Sequence, residues 1–354
     1  MDVTGKRGDN MEAAKSKTIK INFCGGGDEI RPKNNLILNI LKKHYNVEIS
    51  DNPDYVICGM GGNHFEYMKY DCVRILLMTE NFSPDFTIFD YCIGFDYLDF
   101  GDRYFRLPYS FQTKSGDPWI PQLLSEKQAY EYLKMKKYFC NFIYRHPSAH
   151  GMREKLFDKI SEYKKITSAG NFRNNISGET KDYSNNGGML HIERDEKLEY
   201  LQNSKFTIAC ESVVYPGFET EKIVDAFRMH SIPVYYGAST ITNTFNKNAF
   251  INAGELDLDA MLETIKDIDS HDEKYISMLM ECPLVDKSLV KNMYDDLENF
   301  LVNIFSCEPV LRRPRYYYVD SVEYNLKQIY ESKVNRNKGY KKFLRNIKRK
   351  IMNK

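Results

Sequence analysis

The chain has 354 residues, of which 42% are hydrophobic and 14% aromatic, and this length predicts two domains rather than one core. The formal net charge is +1, and no apolar run approaches the roughly 20 residues of a membrane-spanning helix, which argues against an integral membrane protein. The N-terminus also lacks the apolar core of a signal peptide. The eight cysteines are scattered without a C-x-x-C pair, which favours reduced, buried thiols over disulfides or a zinc site.

The first part of the chain alternates short apolar runs with an amphipathic helix, as α/β sheets do. Residues 1–17 are polar and predict a disordered leader. Strands are predicted at Thr18–Cys24, Val47–Ile49 and Tyr55–Cys58, and a helix at Asn34–Tyr45. Glycine-rich loops begin at Gly25 and Gly59, and glycines there suit a tight turn as well as the close approach of a ligand.

A carboxylate follows the next predicted strand. Val73–Met78 is a buried-strand pattern, and Glu80 stands just beyond its carboxyl end, between Thr79 and Asn81. Ligands of open parallel sheets bind outside the carboxyl ends of the strands, so this side chain is expected to face the crevice. Taken alone, Glu80 is better interpreted as a loop carboxylate that caps the next element.

A second strand-rich unit begins after a polar helical segment, Ile120–Lys137, that is predicted to join the domains. Phe139–Tyr144 is the first predicted strand of this unit. Arg153 stands at the start of the following helix, and its planar, permanently charged guanidinium suits phosphate oxygens. In isolation, Arg153 would be interpreted as a solvated charge.

The stretch from Phe206 to Ser239 predicts a βαβ unit. A strand at Phe206–Cys210 is followed by a turn, a helix from about Thr220 and a strand at Ser231–Tyr236. Glu221 suits the positive end of the helix dipole, whereas Lys222 does not. Lys222 is therefore a candidate ligand for an anion, for which free N–H groups at a helix start are also suited. The alternative is a solvated Lys222 paired with Glu219 or Glu221.

Helices are predicted at Leu256–Ile268, Asp272–Glu281 and Leu289–Ile304. From Lys333 onward, basic residues alternate with apolar ones at helical spacing. A basic helix with an apolar stripe can lie on an anionic membrane surface. Nucleic-acid binding and a solvated tail without a partner are the alternatives.

Eight motifs of the chain together resemble the α-1,3/4-fucosyltransferases of glycosyltransferase family 10, in the soluble bacterial form. They are Thr79–Asn81, Ser83–Phe86, Phe89–Asp96, Asp102–Pro108, Phe218–Ile223, Ile232–Gly237, Phe245-Asn246 and Phe250–Asn252. Two positions depart from the family pattern. Ser212 stands where the family commonly has asparagine, and Phe218 where it favours tyrosine, and both changes shorten or delete a hydrogen-bonding group.

The resemblance implies an α/β fold of the GT-B type, in which two Rossmann-like domains face a cleft. The N-terminal, acceptor-binding domain is expected at 18–130, the GDP-fucose-binding domain at 131–330 and the basic amphipathic tail at 331–354. The late helices are expected to pack back across the cleft, and the Asn-, Gly- and Ser-rich loop Asn171–Gly188 to lie near the donor.

The implied reaction is an inverting α-1,3 transfer of L-fucose from GDP-β-L-fucose to the GlcNAc or Glc of N-acetyllactosamine- or lactose-type acceptors. Glu80 carries over as the general base, and Arg153 and Lys222 as ligands of the diphosphate. Glu221 would bind the ribose, Phe218 would line the nucleoside site, and Ser212 would lie at the donor. The loops Gly25–Asn35 and Gly59–Tyr67 would select the acceptor.

No obligatory metal is expected, because the Asp-x-Asp pairs at Asp257 and Asp267 lie in polar helical stretches, and Mn²⁺ or Mg²⁺ would at most stimulate. The expected location is the cytoplasm, with peripheral contact at the inner face of the cell membrane and no nucleic acid as partner. Another nucleotide sugar or a 1,4-linkage is one alternative. A membrane- or nucleic-acid-binding protein with a degenerate transferase core is another.

Overall fold

The computed structural model describes residues 17–27, 30–60, 65–113, 115–176, 194–313 and 322–352. Residues 1–16 of the predicted leader and residues 177–188 of the predicted Asn-rich loop lie outside the described residues. All eight cysteines are free thiols, and those of Cys24 and Cys58 lie 3.4 Å apart in neighbouring strands.

The first sheet has six parallel strands in the order β2-β1-β3-β4-β5-β6. Their bounds are β1 Thr18–Cys24, β2 Asn46–Ile49, β3 Tyr55–Cys58, β4 Val73–Leu77, β5 Tyr91–Gly94 and β6 Tyr104–Arg106. The central strands β3, β4 and β5 are buried along their whole length, as parallel strands covered on both faces are, whereas the edge strand β2 is largely exposed. Helix α1 (Leu36–His44) begins after Asn35, whose side chain accepts a hydrogen bond from the Leu38 N–H.

The second sheet has five parallel strands in the order β11-β10-β9-β7-β8. Their bounds are β7 Tyr138–Phe142, β8 Ile166–Ser168, β9 Ser204–Cys210, β10 Ile232–Tyr236 and β11 Ile251–Asn252. The helices of this part are α2 Glu126–Met135, α3 Met152–Ser161, α4 Arg194–Gln202, α5 Glu221–Arg228, α6 Leu258–Ser270 and α7 Asp272–Met280. The predicted βαβ unit is found as β9, α5 and β10, with β9 in the middle of the sheet.

The chain returns to the first sheet after α7. Helix α8 (Leu289–Ser306) places Phe305 against Tyr55, with ring centroids 4.4 Å apart. The Lys17 ammonium donates to the carbonyl oxygens of Phe305 and Cys307, both at 3.0 Å. It thereby supplies a hydrogen-bond donor to carbonyl groups at the C-terminal end of α8, which have no partner within the helix. Beyond it, Arg313 pairs with the fully buried Asp90. We call β1–β6 with α1 and α8 the N-terminal half, and β7–β11 with α2–α7 the C-terminal half.

The carboxyl ends of the two sheets face each other. Phe95, which follows β5, packs against Phe218 of the C-terminal half, with ring centroids 5.1 Å apart. The N–H of Ser110 donates to the carbonyl oxygen of Glu219 at 2.9 Å. Gly217 has φ +80°, and a Cβ there would lie 2.6 Å from the Phe95 carbonyl oxygen, so glycine permits this approach. The resulting cleft has the arrangement of a GT-B fold.

The last helix, α9 (Val322–Met352), contains residues 331–352 of the predicted basic tail. Among the helices that the structure describes, none combines the length and apolar character needed to cross a bilayer.

Candidate active site

One buried carboxylate organises the loop between β9 and α5. Glu211, directly after β9, is fully buried and accepts a hydrogen bond from the Thr220 N–H at 2.9 Å. The Thr220 hydroxyl lies 2.8 Å from Oε2 of Glu211, and the Lys222 ammonium lies 3.1 Å from the same oxygen. Gly237 leaves room for this side chain, because a Cβ there would lie 2.6 Å from Cγ of Glu211. The carboxylate therefore fixes both the start of α5 and the position of Lys222.

Lys222 keeps its positive charge in this setting. Burial disfavours the charged form, but the carboxylates of Glu211 and Glu221 outweigh it and raise the pKa of Lys222 above its ordinary value. The Glu221 carboxylate lies 3.7 Å from the ammonium. Of the two partners suggested by the sequence, Glu221 is therefore close, whereas Glu219 faces Arg106 instead.

Arg153 lies on the other side of the same loop, in the first turn of α3. Its N–H donates to the Ser148 hydroxyl at 3.1 Å, and its guanidinium lies 4.2 Å from the centre of the Tyr144 ring. The guanidinium donates to the carbonyl oxygens of Cys210, at 3.4 Å, and His146, at 2.9 Å. No ion pair joins Arg153 to a carboxylate among the described residues. Its charge is thus held in place by dipoles and remains available to an anion.

Arg153 and Lys222 line one cavity of about 210 Å³ at the carboxyl end of the second sheet. Four of its lining side chains are cationic and one is acidic: Arg145, Arg153, Lys197 and Lys222, with Glu221. The Lys197 ammonium donates at 2.9 Å to Asp225, which is buried behind the wall. Helices α3 and α5 both begin here, so their N-terminal dipoles add to the positive potential. The cavity has the charge and donors that suit a diphosphate.

The structure brings together three of the six predicted site residues, namely Arg153, Glu221 and Lys222. Glu80 is exposed in the loop after β4, in the N-terminal half across the cleft, and its role as base stays a prediction. Phe218 does not line this cavity, because its ring is 3% exposed and packs against Phe95 in the core beneath the first sheet. Ser212 is exposed and does not line it either. The donor contacts of Phe218 and Ser212 stay predictions.

The predicted residues omit four side chains of the site, namely Arg145, Tyr144, Lys197 and Glu211. Glu211 follows the end of a buried strand, which is the same signal that singles out Glu80. Tyr144 supports Arg153, and its hydroxyl donates to the Ile208 carbonyl and accepts from the Cys210 N–H, both at 2.7 Å. Lys197 lies on α4, whose sparse apolar residues predict no helix.

The aspartates of the two Asp-x-Asp pairs have structural partners. Asp257 caps α6 by accepting from the Ala260 N–H at 2.8 Å. Asp269 pairs with Lys205 at 2.6 Å, and Asp267 with Lys274 at 2.7 Å. Within the described ranges, no group of three or more His, Cys, Asp or Glu side chains is placed to hold a metal ion.

Family models match both parts of the chain. Residues 21–112 match the alpha-(1,3)-fucosyltransferase FucT N-terminal domain, and residues 133–280 match the glycosyltransferase family 10 (fucosyltransferase) C-terminal domain. Together the two matches cover more than half of the chain. The first match covers the strands of the first sheet from residue 21 onward, and the second match covers the strands of the second sheet.

The chain is also similar to individual proteins. It is 29% identical to an alpha-(1,3)-fucosyltransferase FucT of Helicobacter pylori over 73% of this chain, and it spans 58% of the length of that relative. A crystal structure of an α1,3-fucosyltransferase superposes with a TM-score of 0.69 at 24% identity, covering 87% of this chain and 95% of that one. A crystal structure of α1,3-fucosyltransferase with GDP-fucose superposes with a TM-score of 0.62 at 24% identity, covering 85% and 94%.

The paired family matches, the shared two-sheet fold and the cationic cavity at the carboxyl edge of the second sheet agree with the motif resemblance. On this evidence the chain belongs to glycosyltransferase family 10, the fucosyltransferases.

Proposed function

We propose that this protein transfers L-fucose from GDP-β-L-fucose to a sugar hydroxyl, with inversion at the anomeric carbon. The observation that carries the proposal is the cavity in which Arg153 and Lys222 converge at the carboxyl edge of the second sheet. The membership of the family and a neighbouring structure solved with GDP-fucose support the choice of donor.

The cavity residues would bind the nucleotide part of the donor. Arg153, which has no carboxylate partner among the described residues, and Lys222 would neutralise the diphosphate and stabilise the charge that grows on it as GDP departs. Glu221, at the start of α5 on the same cavity wall, would accept hydrogen bonds from ribose hydroxyls. Glu211 would act indirectly, because it holds Lys222 in place rather than touching the donor.

Transfer would be a single displacement. The acceptor oxygen attacks C1 of fucose while the bond from C1 to the diphosphate oxygen breaks, and GDP leaves with that electron pair. The acceptor proton passes to the carboxylate of Glu80, which lies on the opposite side of the cleft and is accessible to solvent. Because positive side chains supply the charge stabilisation, the proposal requires no metal ion, and Mn²⁺ or Mg²⁺ would at most stimulate.

The proposed acceptors are the GlcNAc or Glc residues of N-acetyllactosamine- and lactose-type glycans, fucosylated in α-1,3 linkage, and the products would be Lewis-type glycans such as those of lipopolysaccharide. The proposed location is the cytoplasm, with α9 resting on the inner face of the membrane. Its many Lys and Arg residues, interspersed with apolar ones, support contact with anionic lipid rather than with nucleic acid. Sedimentation with vesicles that contain anionic lipid, compared with neutral vesicles, tests that contact.

The decisive test of the reaction is acceptor-dependent release of GDP from GDP-fucose, for wild type and Glu80→Gln. We expect turnover with N-acetyllactosamine or lactose in the wild type and a loss of at least about a hundredfold in the variant. GDP-fucose binding should persist in the variant, because Glu80 is not in the donor cavity. Full turnover by Glu80→Gln would show that Glu80 is not the base. Turnover with another nucleotide sugar instead of GDP-fucose, in a panel of donors, would show that the donor is that nucleotide sugar.

A further inference from the structure

Residue 219 attaches the donor-binding segment to the N-terminal half through both its main chain and its side chain. Its carbonyl oxygen accepts a hydrogen bond from the Ser110 N–H at 2.9 Å. Its carboxyl group is fully buried and lies 3.8 Å from Nη2 of Arg106, the last residue of β6. The residues that follow are Thr220, which is hydrogen-bonded to Glu211, and Glu221 and Lys222, which line the proposed donor cavity.

The contact between Glu219 and Arg106 is incomplete. The Glu219 oxygen that lies 3.8 Å from Nη2 is Oε1, which accepts a hydrogen bond from the Thr244 hydroxyl at 3.1 Å. Oε2 of Glu219 and Nη2 of Arg106 are both buried and have no hydrogen-bond partner among the described residues. The rest of the guanidinium is fixed, because its Nε donates to the Phe95 carbonyl at 3.0 Å and its Cζ lies 4.0 Å from the centre of the Tyr97 ring. Two groups of opposite charge type thus face each other across the cleft, just beyond hydrogen-bonding distance.

Packing alone does not account for this pair. A buried carboxyl group with an unsatisfied oxygen is unfavourable, and an apolar side chain would fill the position at lower cost. Burial raises the pKa of Glu219 to about 8, and the nearby Arg106 charge only partly offsets that effect. The other charged group that acts on it is Glu211, which raises the pKa further.

We propose that Glu219 and Arg106 are positioning residues for the transfer. They move together into a direct ion pair across the cleft and thereby fix the position of residues 220–222 relative to the N-terminal half. This inference rests on the proposed function. The donor groups themselves belong to the C-terminal half, so donor affinity does not depend on the pair. The alignment of the fucose C1 with the acceptor hydroxyl and the base does depend on the pair. Small misplacements of these reacting groups reduce the rate strongly.

The test is steady-state kinetics with GDP binding for wild type, Glu219→Gln, Arg106→Gln and the double variant. We expect kcat to fall about tenfold in each single variant, while KM for GDP-fucose and Kd for GDP stay within about twofold. The double variant should be no slower than the singles, because both remove the same contact. Arg106→Lys, which keeps the charge, should recover part of kcat. Additive losses in the double variant, or a loss of GDP affinity as large as the loss of kcat, would overturn the proposal.

A thermal-unfolding cycle on the same four proteins separates this inference from the proposed function, because it needs no turnover. The pairing requires that the effects of the two substitutions on Tm be non-additive, and additivity would overturn it. A wild type without any transfer would contradict the proposed function while the cycle still decides the pairing. Arg312→Gln is the matched control: it removes an exposed arginine paired with Asp102, and its kcat should equal that of wild type.

Discussion

The buried carboxyl group of Glu219 makes a specific prediction about stability and pH. Burial raises its pKa from 4.5 to about 8 in the folded protein. The folded state therefore binds more protons than the unfolded state between these values, and the contribution of Glu219 to stability is lost as the pH rises. Glu219→Gln does not titrate, so its stability relative to wild type should increase with pH across this window and level off above about pH 8.

The magnitude follows from the two pKa values. Between pH 5.5 and 7.5 the wild type should lose about 2.5 kcal/mol relative to Glu219→Gln, at about 1.4 kcal/mol per pKa unit. With an unfolding entropy of about 2.1 cal/mol/K per residue over 354 residues, this corresponds to a relative change in Tm of about 3 °C. Both proteins share every other titrating group, so the difference between their melting temperatures isolates this one.

Thermal melts of both proteins at pH 5.5, 6.5 and 7.5 measure the effect. The control is Glu263→Gln, since the Glu263 side chain is 70% exposed and its Tm difference from wild type should stay constant. A constant difference for Glu219→Gln as well would refute the reasoning, because it would mean that Glu219 has the same charge in the folded and unfolded states across this range.

Two further substitutions test how the chain is held together. Arg313→Met leaves the fully buried Asp90 without its guanidinium partner and should destabilise the protein by about 3–5 kcal/mol, measured by thermal melting; a loss below about 1 kcal/mol would contradict the importance of this pair. Burial lowers the pKa of Lys136 from 10.5 to about 7, although its ammonium donates to the carbonyl of Gln202 at 2.8 Å. Between pH 7 and 10.5 the unfolded state therefore binds more protons than the folded state. The stability of wild type relative to Lys136→Met should therefore rise with pH over that window, and a flat or falling difference would be the contrary result.

The regular elements follow closely from local sequence pattern. Strand β3 and helix α5 are found nearly where predicted, because buried parallel strands and amphipathic helices have strong local signatures. Strands β6 and β8 are not predicted, since three residues carry too little periodicity. Helix α4 is not predicted because most of its side chains are polar.

The site is predictable in part. The residue types of Arg153 and Lys222 and their places at helix starts suit an anion, but they also fit solvated charges, and it is the motif resemblance that selects these two residues. The partner of Lys222, Glu211, lies eleven positions earlier in the chain and becomes its neighbour only when β9 and α5 pack together. The facing of Glu219 and Arg106 has no local signature at all, because it depends on how the two halves meet.

The most direct test of the central claim is a calorimetric titration of GDP-fucose into wild type, Arg153→Gln and Lys222→Met. Lys291→Met serves as control, since this lysine is exposed and pairs with Asp295 on α8. A charged hydrogen bond contributes about 1.5–3 kcal/mol, so each cavity variant that retains a wild-type-like Tm should bind at least about tenfold more weakly, while the control binds like wild type. Binding to both cavity variants at wild-type affinity would contradict the assignment of this cavity as the donor site.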